Sequence, residues 1–214
     1  GYFPEAVVNY LVRLAWSHGD QEIFSRQELL DMFSLEHVGK AAGVFNPEKF
    51  LWVNFHYLKS KPLAELAADT VPYIQAKGYP APQDRQWLEK MIATLRERAK
   101  TLVELVEMAR YYLDDQITYD AKAAAKFLTA AAVDSMTALA DKLSASSEFT
   151  EADIEQAFSS TLADHGLKMG ELAQPVRVAL TGSTVSPGIH DVIAVLGKER
   201  SVARLKQAVT RAKA

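Results

Sequence analysis

Gln174-Pro175-Val176-Arg177-Val178-Ala179-Leu180-Thr181-Gly182-Ser183 is the stretch in which a strand competes most directly with a helix. Val176-Arg177-Val178 has the period-two alternation of a half-buried strand, yet it is brief and runs straight into Ala179-Leu180, as a helical turn does. Strand signals elsewhere are weaker still, so this stretch decides the fold class. The chain reads as all-α, in two to three packed helical units with no substantial sheet.

Outward from that stretch, the chain is punctuated by turns. Ser186-Pro187-Gly188 is a turn, and Leu196-Gly197-Lys198-Glu199-Arg200 reads as a break followed by a basic helix start. Toward the N-terminus, apolar residues recur at three- and four-residue spacing over about 150 to 164, 119 to 143, 100 to 113, 83 to 98 and 62 to 77. Phe3-Pro4 opens the first helix, with proline suited to a first-turn position. Ser25 with Glu28 has capping-box spacing, and Asn46-Pro47 starts a further helix. Breaks fall at Ser60-Lys61-Pro62, at Lys77-Gly78-Tyr79-Pro80-Ala81-Pro82, around Asp114-Asp115-Gln116 and at Ser144-Ala145-Ser146-Ser147. They divide the chain into 1–61, 62–110 and 111–214.

The chain has 214 residues, 49% of them hydrophobic and 24% charged, the balance of an ordinary folded protein able to bury a sizeable core. It has no cysteine, which excludes disulfides, thiolate metal sites and a cysteine nucleophile and fits a reducing cytoplasm. No apolar run reaches the ~18 residues of a membrane span, and the N-terminus lacks a signal pattern. Beginning at Gly1 without methionine, the chain reads as a piece of a longer protein.

Catalytic constellations are missing. Gly39 and Gly43 belong to no strand-to-helix phosphate loop, and no Gly-x-Ser-x-Gly elbow occurs. His18, His37, His56, His165 and His190 lack the i, i+4 pairing with glutamate of a helical zinc site. Asp114-Asp115 reads as solvated loop carboxylates. No catalytic residue, metal or cofactor is assigned.

The net charge of −3 argues against a polyanionic partner, but its distribution argues the other way. From Leu196 to Ala214 the chain carries Lys198, Arg200, Arg204, Lys206, Arg211 and Lys213 against the single acid Glu199, and Arg96, Arg98 and Lys100 form a second knot. A solvated helix face is the plainer reading; a local patch that attracts a polyanion is the sharper one. Arg98 has no acid three or four residues away, since Thr94, Leu95, Thr101 and Leu102 occupy those places. Arg177 between two valines needs a partner or a ligand. Pro187-Gly188 alone is an ordinary turn, and Trp52 and Trp87 read as core.

Several motifs in one order resemble bacterial-type glutamyl-tRNA synthetases, over essentially the whole chain. They are Gly1-Tyr2-Phe3-Pro4-Glu5-Ala6, Asn9-Tyr10-Leu11, Trp16-Ser17-His18-Gly19-Asp20-Gln21-Glu22-Ile23-Phe24-Ser25, Phe45-Asn46-Pro47-Glu48-Lys49, Leu51-Trp52-Val53-Asn54 and Leu95 to Leu102. The C-terminal run opening on Gln174 completes them. Phe55 departs from the pattern, standing where the family commonly shows a small or polar residue. The ATP signatures of the His-x-Gly-His and Lys-x-Ser-Lys types are absent from this chain. The resemblance therefore implies the C-terminal part of such an enzyme: a stem-contact unit over 1–61 and two anticodon-binding units over 62–110 and 111–214, in a cytoplasmic, monomeric protein. ATP and magnesium would serve the parent ligase, a class I synthetase; this part would form no glutamyl-adenylate.

Carried over by position, Arg98 matches the arginine that reads the first anticodon base and looks like the discriminating type. Arg177 matches one that contacts bases further along. Gln174, Ser186, Pro187, Gly188 and Ile189 match a pocket for splayed-out bases. Arg96, Lys100, Lys198, Arg200 and Arg204 are expected at the tRNA backbone. Guanidinium groups offer paired planar donors to the exposed edges of loop bases, which suits this task. The expected partner is tRNA(Glu), with neither DNA nor membrane. The alternative is a helical protein-interaction scaffold without RNA binding.

Overall fold

A computed structural model describes residues 1–40 and 42–213; Ala214, the last residue of the basic run, lies outside them. Among the described residues there are thirteen α-helices, two short 3-10 turns and no strand, so the chain is all-α. It divides into two compact units, Gly1–Met108 and Ala109–Ala214.

The first unit holds α1 (Pro4–Ala15), α2 (Arg26–Met32), α3 (Pro47–Ser60), α4 (Leu63–Ala76), α5 (Arg85–Leu95) and α6 (Leu102–Met108). Local chemistry starts these helices where expected. Pro4 occupies the first turn of α1, Ser25 and Glu28 form a reciprocal capping box on α2, and Asn46 caps α3 just before Pro47. α1 packs on α3, and α4 packs on α5 and α6. Buried asparagines tie the loops to this frame. The Asn54 carboxamide accepts from Phe3 N at 2.8 Å and donates to Lys100 O at 2.6 Å. Asn9 accepts from Phe24 N at 2.7 Å and donates to Glu22 O at 2.8 Å. The segments on either side of residue 61 thus lie within one compact unit, with Leu102 N donating to Gly1 O at 3.0 Å.

Glu22 is a charged node beside this frame. Arg13 grips its carboxylate at 2.9 and 3.2 Å and Lys49 at 2.9 Å. The Arg13 hydrogen bonds, helped by Lys49 and opposed by burial, hold its carboxyl at about 2 against an ordinary 4.5. A carboxyl depressed by folding stabilises above its unfolded pKa, and that contribution is lost as protons return. Wild-type stability should therefore fall between about pH 4.5 and pH 2 by more than that of Glu22→Gln. Thermal unfolding of both proteins across that window checks this, and parallel curves would refute it.

The second unit holds α7 (Arg110–Leu113), α8 (Ala121–Phe127), α9 (Val133–Ala145), α10 (Glu151–His165), α11 (Met169–Thr181), α12 (Ile189–Leu196) and α13 (Lys198–Lys213). α9 lies against α10 and α13, and α11 lies against α8, α12 and α13. Met136, Leu139, Phe158, Leu172, Val176, Leu180, Val192 and Leu205 fill the core between them. The Val176-Arg177-Val178 alternation is helical, in the middle of α11.

Three expected helices differ in extent. The continuous helix over 119 to 143 is two, α8 and α9, because Leu128 (ψ 69°) and Thr129 (ψ 165°) leave the helical region and a 3-10 turn over Ala130–Ala132 follows. The helix over 100 to 113 is α6 and α7, parted at Ala109 (ψ −6°). The helix expected to reach 98 ends at Leu95 and closes in a tight turn, with Arg98 N donating to Leu95 O at 2.9 Å. Trp52, expected in the core, is 50% exposed.

Candidate nucleic-acid interface

Gln174 and Arg177 stand one turn apart on α11, three residues of helix that bring both to the same side. Beyond Gly182 the chain turns through Ser183–Ser186, and Gly188 precedes α12. This return brings Ser186 to Arg177, whose Nε donates to Ser186 Oγ at 2.8 Å, while that hydroxyl donates to Pro187 O at 2.9 Å. Pro187 and Ile189 are buried, Gly188 is exposed, and Arg177, Gln174 and Ser186 are half-buried. The charge between two valines has the partner its setting requires. Gln174 Oε1 is buried and accepts no hydrogen bond among the described residues, a costly state for an acceptor.

His190 was not singled out by its sequence context. It packs edge-on against Phe158 of α10, ring centroids 4.6 Å apart, with a buried Nε2 that has no partner among the described residues. A histidine one place past Ile189 carries no local signal of that packing, which α10 supplies from far along the chain.

In the first unit, the turn after α5 sorts its cations by direction. Arg98 and Lys100 are exposed, and the Arg98 side chain has no hydrogen-bond or ion-pair partner among the described residues. Lys100 is fixed through its backbone, its carbonyl on Asn54 and its N–H on Glu104 Oε2 at 2.8 Å. Arg96 faces inward, with Nη2 donating to Lys61 O at 3.3 Å. Arg98 and Arg177 belong to different compact units.

The basic run of α13 does not form the outward stripe its sequence suggests. Arg204 is only 3% exposed and donates to Tyr111 O at 2.7 Å, Leu180 O at 3.0 Å and Asp114 O at 2.6 Å. A guanidinium so enclosed does not reach a phosphate, and the expected backbone contact at Arg204 is corrected to an internal clamp. Burial foremost, then Arg200, lowers it to about 10, still charged at neutral pH. Arg200 donates to Tyr112 O at 2.6 Å and to Asp115 Oδ1 at 2.9 Å, and Lys198 Nζ donates to Ser146 O. Half of the expected patch is engaged in holding the unit together. Exposed Lys206, Arg211 and Lys213 complete the run, with Arg211 lying over the Tyr119 ring at 5.3 Å.

Among the described residues no group of three or more His, Asp or Glu side chains is placed to hold a metal ion. No helix there is long and apolar enough to cross a membrane.

The fold is all-helical, with Arg98 in the turn after α5 and Arg177 on α11 beside the Pro187-Gly188 turn. Residues 63–209 match the family model described as the anticodon binding domain. The chain is 50% identical over 209 residues to a glutamate–tRNA ligase of Syntrophobacter fumaroxidans, covering 98% of this chain and 44% of that protein. It is 47% identical to the glutamate–tRNA ligase of Geobacter sulfurreducens, covering 98% and 45%. Its fold superposes with a TM-score of 0.88 on a crystal structure of a glutamate tRNA ligase from Elizabethkingia meningosepticum in complex with its amino acid, at 26% identity, covering 98% of this chain and 41% of that one. The chain belongs to the anticodon-binding-domain family. It spans about 44% of the length of the curated relatives it matches.

Proposed function

We propose that this chain recognises tRNA(Glu) at its anticodon and positions it for a ligase whose catalytic part lies outside these residues. The observation that carries the reading is the Arg177–Ser186 contact of 2.8 Å beside Pro187-Gly188, inside the segment matched to anticodon-binding domains. A guanidinium anchored by a hydrogen bond is held in plane at low entropic cost, which suits an edge-reading contact with an unstacked base. Gln174, half-buried one turn away, lies on the same side of α11 as Arg177 and marks the inner wall of this site. Ser186, Pro187, Gly188 and Ile189 form the turn against which such a base lies. Arg98, exposed and unpaired, serves as the reader in the other unit, flanked by Lys100 as a phosphate contact.

On this reading glutamate activation, ATP and magnesium belong to the remainder of the ligase, and this part is non-catalytic and needs no cofactor. It acts as a monomer in the cytoplasm, with no DNA or membrane partner. Within it, 1–61 contacts the tRNA stem, and 62–110 and 111–214 share the anticodon.

Arg98→Ala and Arg177→Ala are each expected to weaken tRNA(Glu) binding by about tenfold or more, the worth of a charge-assisted hydrogen bond. Titration against tRNA(Glu) and a copy with an altered anticodon, at two salt concentrations, measures this. The wild type should prefer the native anticodon and lose affinity steeply with salt. Equal binding by wild type and both variants would sink the site assignment; salt-insensitive binding would favour a protein-interaction scaffold.

A further inference from the structure

We propose that a groove on the outer face of α3 takes an unstacked nucleobase of the same RNA that Arg98 contacts. The inference rests on the anticodon reading of Arg98. Trp52, Phe55, His56, Lys59 and Ser60 share one face of the helix at three- and four-residue spacing and line an open groove of about 330 Å³, the small end of ligand sites. Trp52 and Phe55 contribute aromatic rings to it, and Trp52 is 50% exposed although nothing in the plain core role of a tryptophan calls for that.

The groove adjoins the Arg98 turn. Lys59 lies over the Phe55 ring at 5.2 Å and pairs with Glu97 at 2.6 Å, next to Arg98 in the chain. On the inner side of the same helix, Asn54 Nδ2 donates to Lys100 O at 2.6 Å. The Lys59–Glu97 pair joins the α3 face to the 96–100 turn. The charge there suits a polyanion, since Lys59 neutralises Glu97 while exposed Arg98 and Lys100 outnumber the one further acid, Glu104. An aromatic wall beside such cations is the arrangement that stacks a base and tracks its backbone, without regard to base identity. An apolar peptide has no use for the cations.

Titration of the 214-residue chain with tRNA(Glu), read by tryptophan emission and by the anisotropy of labelled RNA, tests the groove. Phe55→Ala and Trp52→Ala are each expected to lower affinity about five- to tenfold, equally for native and altered anticodons. Ultraviolet crosslinking should place an RNA adduct on the peptide containing Trp52 and Phe55. Circular dichroism melts verify that each variant folds, and half-exposed Trp52 gives a second readout if Phe55→Ala does not. If Arg98→Ala weakens binding while both groove variants bind as wild type with no adduct, the groove proposal falls and the anticodon reading stands. If Arg98→Ala leaves binding unchanged, the anticodon reading falls, and a groove adduct would then mark a base site independent of it. Salt-insensitive capture of an apolar peptide, with no adduct, would overturn the proposal in favour of a protein partner.

Discussion

Gly182→Ala is expected to destabilise the second unit by about 3 kcal/mol, the sum of a left-handed backbone penalty and overpacking. Gly182 ends α11 at φ 75°, a conformation that side chains rarely adopt. The space is closed as well. A Cβ there would lie less than 3.0 Å from the Thr118 carbonyl oxygen and 3.1 Å from Ile117 Cγ2. Thr118 has little freedom to retreat, because Asp120 N donates to Gly182 O at 2.8 Å and the Asp120 side chain caps α8 by accepting from Ala123 N at 2.7 Å. The clash is therefore against backbone held on its C-terminal side, unlike the tip of a flexible side chain. At the ~4–8 °C per kcal/mol of a domain this size, the midpoint should fall by roughly 12–24 °C. Circular dichroism melts decide it; Gly166→Ala is the control, since Gly166 also has positive φ (63°) but open space around its Cβ position. Equal losses in the two variants would show that the Thr118 contact contributes nothing.

Helix starts were legible in the sequence because they are local. Pro4, the Ser25–Glu28 box and Asn46-Pro47 all act within one turn of their own position. Helix interruptions were not. The apolar spacing runs on through 128–132, while the backbone leaves the helical region at Leu128 and Thr129 and α9 starts afresh against α13 and α10. The candidate site divides in the same way. Arg177 in an apolar setting and Ser186 nine residues on could both be named, but their contact depends on the return from α11 to α12. In the 96–100 knot, Arg96 and Arg98 are chemically identical in sequence. A difference of two residues in a tight turn sends one inward to Lys61 and leaves the other exposed.

The same limit explains α13, where composition reads as a polyanion stripe and the fold uses the charge internally. Arg204→Met is expected to cost about 3 kcal/mol, because one buried and two part-buried carbonyls lose the Arg204 donor at once and a lost partner costs ~1–3 kcal/mol at a buried acceptor. Those carbonyls sit near helix ends, Tyr111 and Asp114 at α7 and Leu180 in the last turn of α11, where backbone acceptors have no partner within the helix. One cation serves both ends, so its loss frees the four-residue α7 and the end of the helix that carries Arg177. Arg204→Lys should recover only part of the loss, since a single ammonium lacks the planar spread that reaches acceptors on two elements. Lys206→Met, two residues away and exposed, should leave stability within ~0.5 kcal/mol of wild type. A phosphate-contact role predicts the reverse order: Arg204→Lys would preserve stability and lower RNA affinity with a shallower salt slope. Measuring unfolding free energy and tRNA affinity on the same three variants separates the two roles, and a stable Arg204→Met protein with weakened binding would overturn the internal clamp.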